Sequence, residues 1–149
     1  MRDDRDGAEP SANSVAAMNL TWLARILNVK EFQLAAARLI GSFHPVLQRV
    51  PAALPQMLAA MNDTITEPIQ IVIAGTRTSA AELLQVSRNR INPAKLFSLR
   101  TAQNQEFLAQ HVPEIADMTP INGKATAYVC RNFACDLPVT DPDALRAKL

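Results

Sequence analysis

The sequence predicts a mixed fold, between α+β and α/β: an N-terminal helical layer, a small three-stranded parallel βαβαβ unit, and a C-terminal helix. Three observations predict it. The first third sets its apolar residues at helical spacing. After Glu67-Pro68 the pattern changes to short β-favouring runs separated by more than ten residues each, the length of a crossover connection. At the end of the chain a strand-like run leads through a turn into a capped helix. The boundary between helical and α/β parts falls at Thr64–Pro68, dividing the chain into residues 1–66 and 67–149.

The elements follow in order. Residues 2–9 are charged, and Ser11 or Asn13 can cap the helix that follows by accepting from its first free N–H groups. That helix carries Val15, Ala16, Met18, Leu20, Trp22, Leu23, Ile26 and Leu27, which wrap most of its circumference and predict burial on more than one side. A second helix starts near Lys30 and turns Phe32, Ala35, Ala36, Leu39, Ile40 and Phe43 to one face. Pro45 kinks it or starts a new segment, because a proline inside a helix removes a hydrogen bond. A third helix covers Leu54–Met61.

Ile69–Ala74 is the first strand, ending at Gly75. Thr78 or Ser79 is expected to cap a helix running through Leu83, Leu84 and Val86 to Ile91, where Asn92-Pro93 stops it. Leu96–Leu99 is the second strand, Asn104 to about Asp117 a helix, and Ala125–Cys130 the third strand. Asp141-Pro142 opens the last helix, with aspartate as N-cap and proline at the first helical position.

Composition narrows the function classes. In 149 residues, 48% hydrophobic against 19% charged indicates a folded chain. A net charge of +1 with both signs scattered gives no electrostatic footprint for nucleic acid or an anionic membrane. No apolar run approaches the roughly 20 residues of a membrane span, and no leader-like apolar run follows the charged N-terminus. Two cysteines do not make a secreted disulfide scaffold. A cytoplasmic location is therefore expected.

Three blocks, GAEPSANSVAAMNL (7–20), RVPAALPQML (49–58) and ATAYVCRNFACDLPVTDPDAL (125–145), resemble the C-terminal end of the spermatogenesis-associated protein 20 family. QIVIAG (70–75) and NPAKLFSL (92–99) fit the same register between them. Members of that family carry an N-terminal thioredoxin-like domain, then an (α/α) toroid of six hairpins resembling sugar-processing enzymes, then a short α/β tail. The resemblance implies that residues 1–66 match the last toroid helices and 67–149 the tail. It also implies a piece of a longer reading frame. The Cys-x-x-Cys of the thioredoxin-like domain is absent from these residues.

Two groups of residues are candidate sites. On one straight strand the Cα atoms of Cys130 and Cys135 would lie roughly 16 Å apart, beyond the roughly 7 Å limit for a disulfide. Arg131–Ala134 must turn back if the two pair, and Asn132 tolerates the left-handed conformation of such a turn. Two reduced thiols, with Cys130 packed as a small hydrophobe, are the plain alternative to a redox or structural pair. Two thiolates alone do not fill a zinc shell.

The acidic loop Asp3, Asp4, Asp6, Glu9 is the second group. If the helices end a toroid, Asp6 and Glu9 face its mouth, where paired carboxylates serve glycosidic chemistry as acid and base. The plain alternative is a solvated acidic run favouring the positive end of a helix dipole. Gly75-Thr76-Arg77-Thr78 lacks the spacing of a phosphate loop and reads as a βα turn. His44 and His111 sit in no motif.

The expected function is a non-catalytic structural module, with no cofactor or metal and no turnover by this chain alone. Expected partners are a second copy of the chain or the N-terminal part of the family protein. The alternatives are a piece of a carbohydrate-processing toroid using Asp6 and Glu9, and a redox accessory using Cys130 and Cys135.

Overall fold

The computed structural model describes residues 5–88, 95–131 and 134–149. The expected helix end at Ile91 with its Asn92-Pro93 stop, the acidic residues Asp3 and Asp4, and the turn residue Asn132 lie outside them. The chain divides into two compact units, Met1–Thr66 and Glu67–Leu149.

The first unit is helical: α1 (Ala12–Leu27), α2 (Lys30–Ser42), α3 (His44–Arg49) and α4 (Pro55–Ile65). Ser11 caps α1, its hydroxyl accepting from the Ser14 N–H. Asn28 closes α1 in the left-handed conformation (φ 52°), which asparagine adopts more readily than most residues. Pro45 starts α3 and Pro55 starts α4, each in the first turn, where its missing N–H leaves nothing unpaired. Pro51 sits instead in the short 3₁₀ turn Pro51–Ala53. The core gathers Ala17 of α1, Ile40 of α2, Phe43, Leu47 of α3, Leu54, and Met57 and Ala60 of α4.

The second unit is a mixed four-stranded sheet with helices. Its elements are β1 (Ile69–Ala74), α5 (Ala81–Arg88), β2 (Lys95–Arg100), α6 (Gln105–His111), β3 (Thr126–Arg131), β4 (Ala134–Cys135) and α7 (Pro142–Lys148). The strand order is β2-β1-β3-β4. β1 and β2 are parallel, with Ile71 opposite Phe97. Ile71, Ile73, Ala127 and Val129 share one face and pack with Leu83, Leu84 and Val86 of α5 and Leu145 of α7.

The three-parallel-strand expectation is corrected at β3. This strand runs antiparallel to β1, with Ala74 opposite Thr126 and Ile69 opposite Arg131. Two local features account for it. Pro113 cuts the helix expected to reach Asp117 down to the seven residues of α6, followed by a 3₁₀ turn at Pro113–Ile115. The β2–β3 connection stays at one end of the sheet, leaving β2 at Arg100 and entering β3 at Thr126, both opposite Ala74 of β1.

Then Asn122 (φ 51°) and Gly123 (φ 72°), both left-handed, form a tight reversal. The Lys124 N–H donates to the Ile121 carbonyl at 2.9 Å. Asn-Gly suits a two-residue turn needing positive φ twice. The chain therefore enters β3 beside the end of β1 rather than beside its start. The fourth strand, β4, was not expected.

The start of α5 also differs. Neither Thr78 nor Ser79 caps it. Instead the Thr76 hydroxyl accepts from the Ser79 N–H, and the Ser79 hydroxyl accepts from the Thr76 N–H, both at 3.1 Å. This reciprocal pair closes the turn between Gly75 and α5 as a capping box closes a helix start. Gly75 has φ 152°, and a Cβ there would meet the Ala125 Cβ and the Ser79 Oγ at 3.0 Å. Glycine is what lets the turn pass so close to β3.

Candidate functional site

Asp6 lies at the junction of two helix starts. Its Oδ1 accepts from the Ser11 N–H and its Oδ2 from the Gln56 N–H, each at 2.8 Å. Its own N–H donates to the Ala53 carbonyl at 2.8 Å. Ser11 is the N-cap of α1 and Gln56 the second residue of α4, so one carboxylate serves two helix N-termini. Helix starts present N–H groups that lack a partner within the helix, together with partial positive charge, and both favour an anion.

Partial burial pushes the Asp6 carboxyl up, but hydrogen bonds from Ser11, Ser14 and Gln56 outweigh it and hold the group below the ordinary carboxylate range. Beneath it the buried Ser11 hydroxyl donates to the Ser14 hydroxyl at 2.9 Å. Glu9 is exposed, and its carbonyl accepts from the Gly7 N–H at 2.9 Å. The two candidate carboxylates thus stand in different settings, one held by backbone donors and the other in solvent.

A second polar cluster in the helical unit was not singled out by sequence reasoning. Asp63 of α4 is 4% exposed and accepts from the Trp22 indole N–H at 2.9 Å. Arg25 donates from Nη2 to the Thr66 carbonyl at 2.7 Å. Burial pushes the Arg25 guanidinium down, while the nearby Asp63 charge acts the other way. Residues 41 positions apart leave no local signal of this pairing.

In the second unit a disulfide joins Cys130 and Cys135, which stand directly opposite each other on β3 and β4 with Cα atoms 3.9 Å apart. Cys130 is 2% exposed, whereas Cys135 lies on the exposed edge strand. Register puts Cys130 on the sheet face of Gln70 and Val72, away from the face covered by α5 and α7.

The strand segment after β4 is held by several bonds. The Asp136 N–H donates to the Val129 carbonyl, and Ala127 and Val139 exchange a pair of backbone bonds at 2.7 and 3.0 Å. The Asp136 carboxylate meets Arg131 Nη1 at 3.4 Å and Lys148 Nζ at 3.5 Å. Arg131 Nη2 donates to the Lys148 carbonyl at 2.7 Å, tying β3 to the end of α7.

The remaining candidates stand apart. His44 is exposed at the start of α3, and His111 stacks on Phe107 with ring centroids 4.2 Å apart. Among the described residues no three His, Cys, Asp or Glu side chains converge as a metal site would require. Among those residues no helix is long and apolar enough to cross a membrane.

Across its whole length the chain is 38% identical to spermatogenesis-associated protein 20 of Homo sapiens and 36% identical to that of Rattus norvegicus. An uncharacterized protein of Caenorhabditis elegans is 35% identical over 93% of the chain. The chain belongs to the spermatogenesis-associated protein 20 family. It spans about a fifth of these relatives, 19% of the length of each. The match to the human family member covers both units, so the Asp6 junction and the Cys130–Cys135 hairpin both fall within it. No protein-family model matches the chain, and no solved structure does.

Proposed function

We propose that this stretch of the family is a non-catalytic structural module: a set of helices that complete a helical toroid, joined to a small α/β unit. The observation that carries the reading is the commitment of Asp6. Each oxygen of Asp6 accepts from a backbone N–H that starts a helix, which gives the carboxylate a capping role at two helices at once. Its lowered pKa also suits a permanent anion better than a general acid.

The outer surface of the helices supports the same reading. Val15 and Trp22 repeat on one stripe of α1, with Leu23 beside them, and all three are exposed. Leu58, Met61 and Ile65 form a stripe on α4, which packs against α1. Trp22 is 45% exposed and Ile65 77%. Stripes at helical spacing suit burial against further helices. The rest of a family chain, five times longer, would supply them, and a second copy is the substitute when it is absent.

Light scattering tests the packing half of the proposal. The isolated chain should associate at high micromolar concentration, and Val15→Lys with Ile65→Lys, both at exposed positions, should reduce that association. A monodisperse monomer throughout counts against it. A screen with aryl glycosides and N-acyl sugars tests the other half. Turnover abolished by Glu9→Gln, an exposed position with little structural role, would establish the carbohydrate-processing alternative instead.

A further inference from the structure

We infer that the Cys130–Cys135 disulfide is a thiol-exchange site with fixed polarity: an incoming thiolate attacks Cys135, and Cys130 is the leaving and resolving sulfur. This goes beyond the structural role proposed above and stands on separate observations. The two cysteines face each other across β3 and β4, but their surroundings are opposite. Cys130 is enclosed in the sheet, next to β1, while Cys135 sits on the two-residue edge strand with solvent beyond it. Exchange requires approach along the sulfur–sulfur axis, so access decides which sulfur is attacked. Of the two, Cys135 is the exposed residue and Cys130 is 2% exposed.

The reaction balances with a dithiol as the reductant. Its first thiolate bonds to Cys135 Sγ, the Cys130–Cys135 bond breaks, and the electron pair leaves on Cys130 Sγ, which takes up a proton. The second thiolate of the reductant then attacks its own sulfur in the mixed disulfide and releases Cys135 as a thiolate, which is protonated in turn. The dithiol ends as a disulfide, two electrons poorer, and the cysteine pair holds those two electrons and two protons. A monothiol stops at the first step. Cys130 stands directly opposite Cys135, so its thiolate can attack the mixed disulfide, re-form the Cys130–Cys135 bond and release the monothiol as a thiolate.

Opening the bond does not by itself detach the hairpin. The Asp136–Val129 bond, the two bonds between Ala127 and Val139, and the contacts of Asp136 with Arg131 and Lys148 all remain. The reduced chain should therefore stay folded while its edge strand loosens. The pair can then cycle between two redox states without unfolding.

The test uses the full chain. The oxidised protein is mixed with glutathione, quenched in acid, unfolded, alkylated and mapped by mass spectrometry. Glutathione should be found on Cys135 and the alkyl group on Cys130, in excess on the order of tenfold over the reverse pattern. Dithiothreitol should convert the folded protein fully to the dithiol form, with the circular dichroism of the folded state retained. In parallel, the single thiol left by Cys130→Ser should react with Ellman's reagent on the order of ten times faster than the one left by Cys135→Ser. That difference should vanish in denaturant. Glutathione divided equally between the cysteines, a reversed preference, or a bond that opens only on unfolding would each overturn the inference. The glutathione mapping needs no variant, so a misfolded serine mutant leaves it intact. Failure of the exchange leaves the light-scattering result untouched.

Discussion

Replacing Asp6 with alanine should destabilise the helical unit without removing any apolar contact. The substitution strips the acceptor from the Ser11 N–H at the start of α1 and from the Gln56 N–H at the start of α4. Loss of a side-chain cap costs about 1 kcal/mol per helix. Gln56 is partly exposed, so water can replace the carboxylate at its N–H. Ser11 is 1% exposed and its N–H is harder to resolvate, which makes a two-cap figure a lower bound. Two caps then give about 2 kcal/mol. For a unit of this size that corresponds to a fall in Tm of roughly 8–16 °C.

Asp6→Asn keeps one carbonyl acceptor and should lose about half as much, roughly 1 kcal/mol. The assay is intrinsic fluorescence during thermal and urea unfolding. The chain has a single tryptophan, Trp22, and its indole is bonded to α4, so it reports this unit alone.

The sign of the pH dependence follows from the lowered pKa of Asp6. A carboxyl whose folded pKa lies below its unfolded value stabilises the fold fully above the unfolded value, near 3.9. That contribution is lost as pH falls through the folded value. The gap between wild type and Asp6→Ala should therefore be constant at neutral pH and shrink in acid. An Asp6→Ala chain within about 0.5 kcal/mol of wild type at neutral pH would refute the double-cap reasoning. A gap that widened in acid would do the same.

Further substitutions probe the rest of the chain. Asp63→Ala leaves the Trp22 indole N–H and the neighbouring Arg25 without their buried anion and should cost about 2–3 kcal/mol, with a shift in Trp22 emission. Removing the disulfide with Cys130→Ala and Cys135→Ser should cost the sheet unit about 2 kcal/mol, since it closes so short a loop. The single tyrosine, Tyr128 on β3, offers the fluorescence readout for that unit. Leu145→Ala opens a cavity where α7 meets the sheet core and should cost about 2–5 kcal/mol, measured by urea denaturation followed by circular dichroism.

Local signals settled much of this protein. Asp141 accepts from the Ala144 N–H at 2.8 Å and Pro142 starts α7, as the residue pair alone dictates, because capping involves only neighbours. The β-branched run of β1 was legible for the same reason. The sequence offered Ser11 or Asn13 as cap of α1 and a kink or a new start at Pro45, and the structure shows Ser11 and a new start. Two further signals stood in the sequence: Pro113, which ends α6, and Asn122-Gly123, which turns the chain back into β3. Weighed together they argue against a third parallel strand.

Tertiary structure decided the rest, because it concerns atoms that sequence distance separates. A loop carboxylate such as Asp6 reads as solvated or catalytic until Gln56, 50 residues on, brings its N–H to Oδ2. Trp22 and Asp63 carry no mark of their pairing, since neither lies on the other's helix. The cysteine spacing allowed two reduced thiols as readily as a bond, and pairing β3 with β4 is what sets them face to face. Periodicity reports which face of an element is apolar, whereas hydrogen-bond partners and strand direction depend on where the chain returns in space.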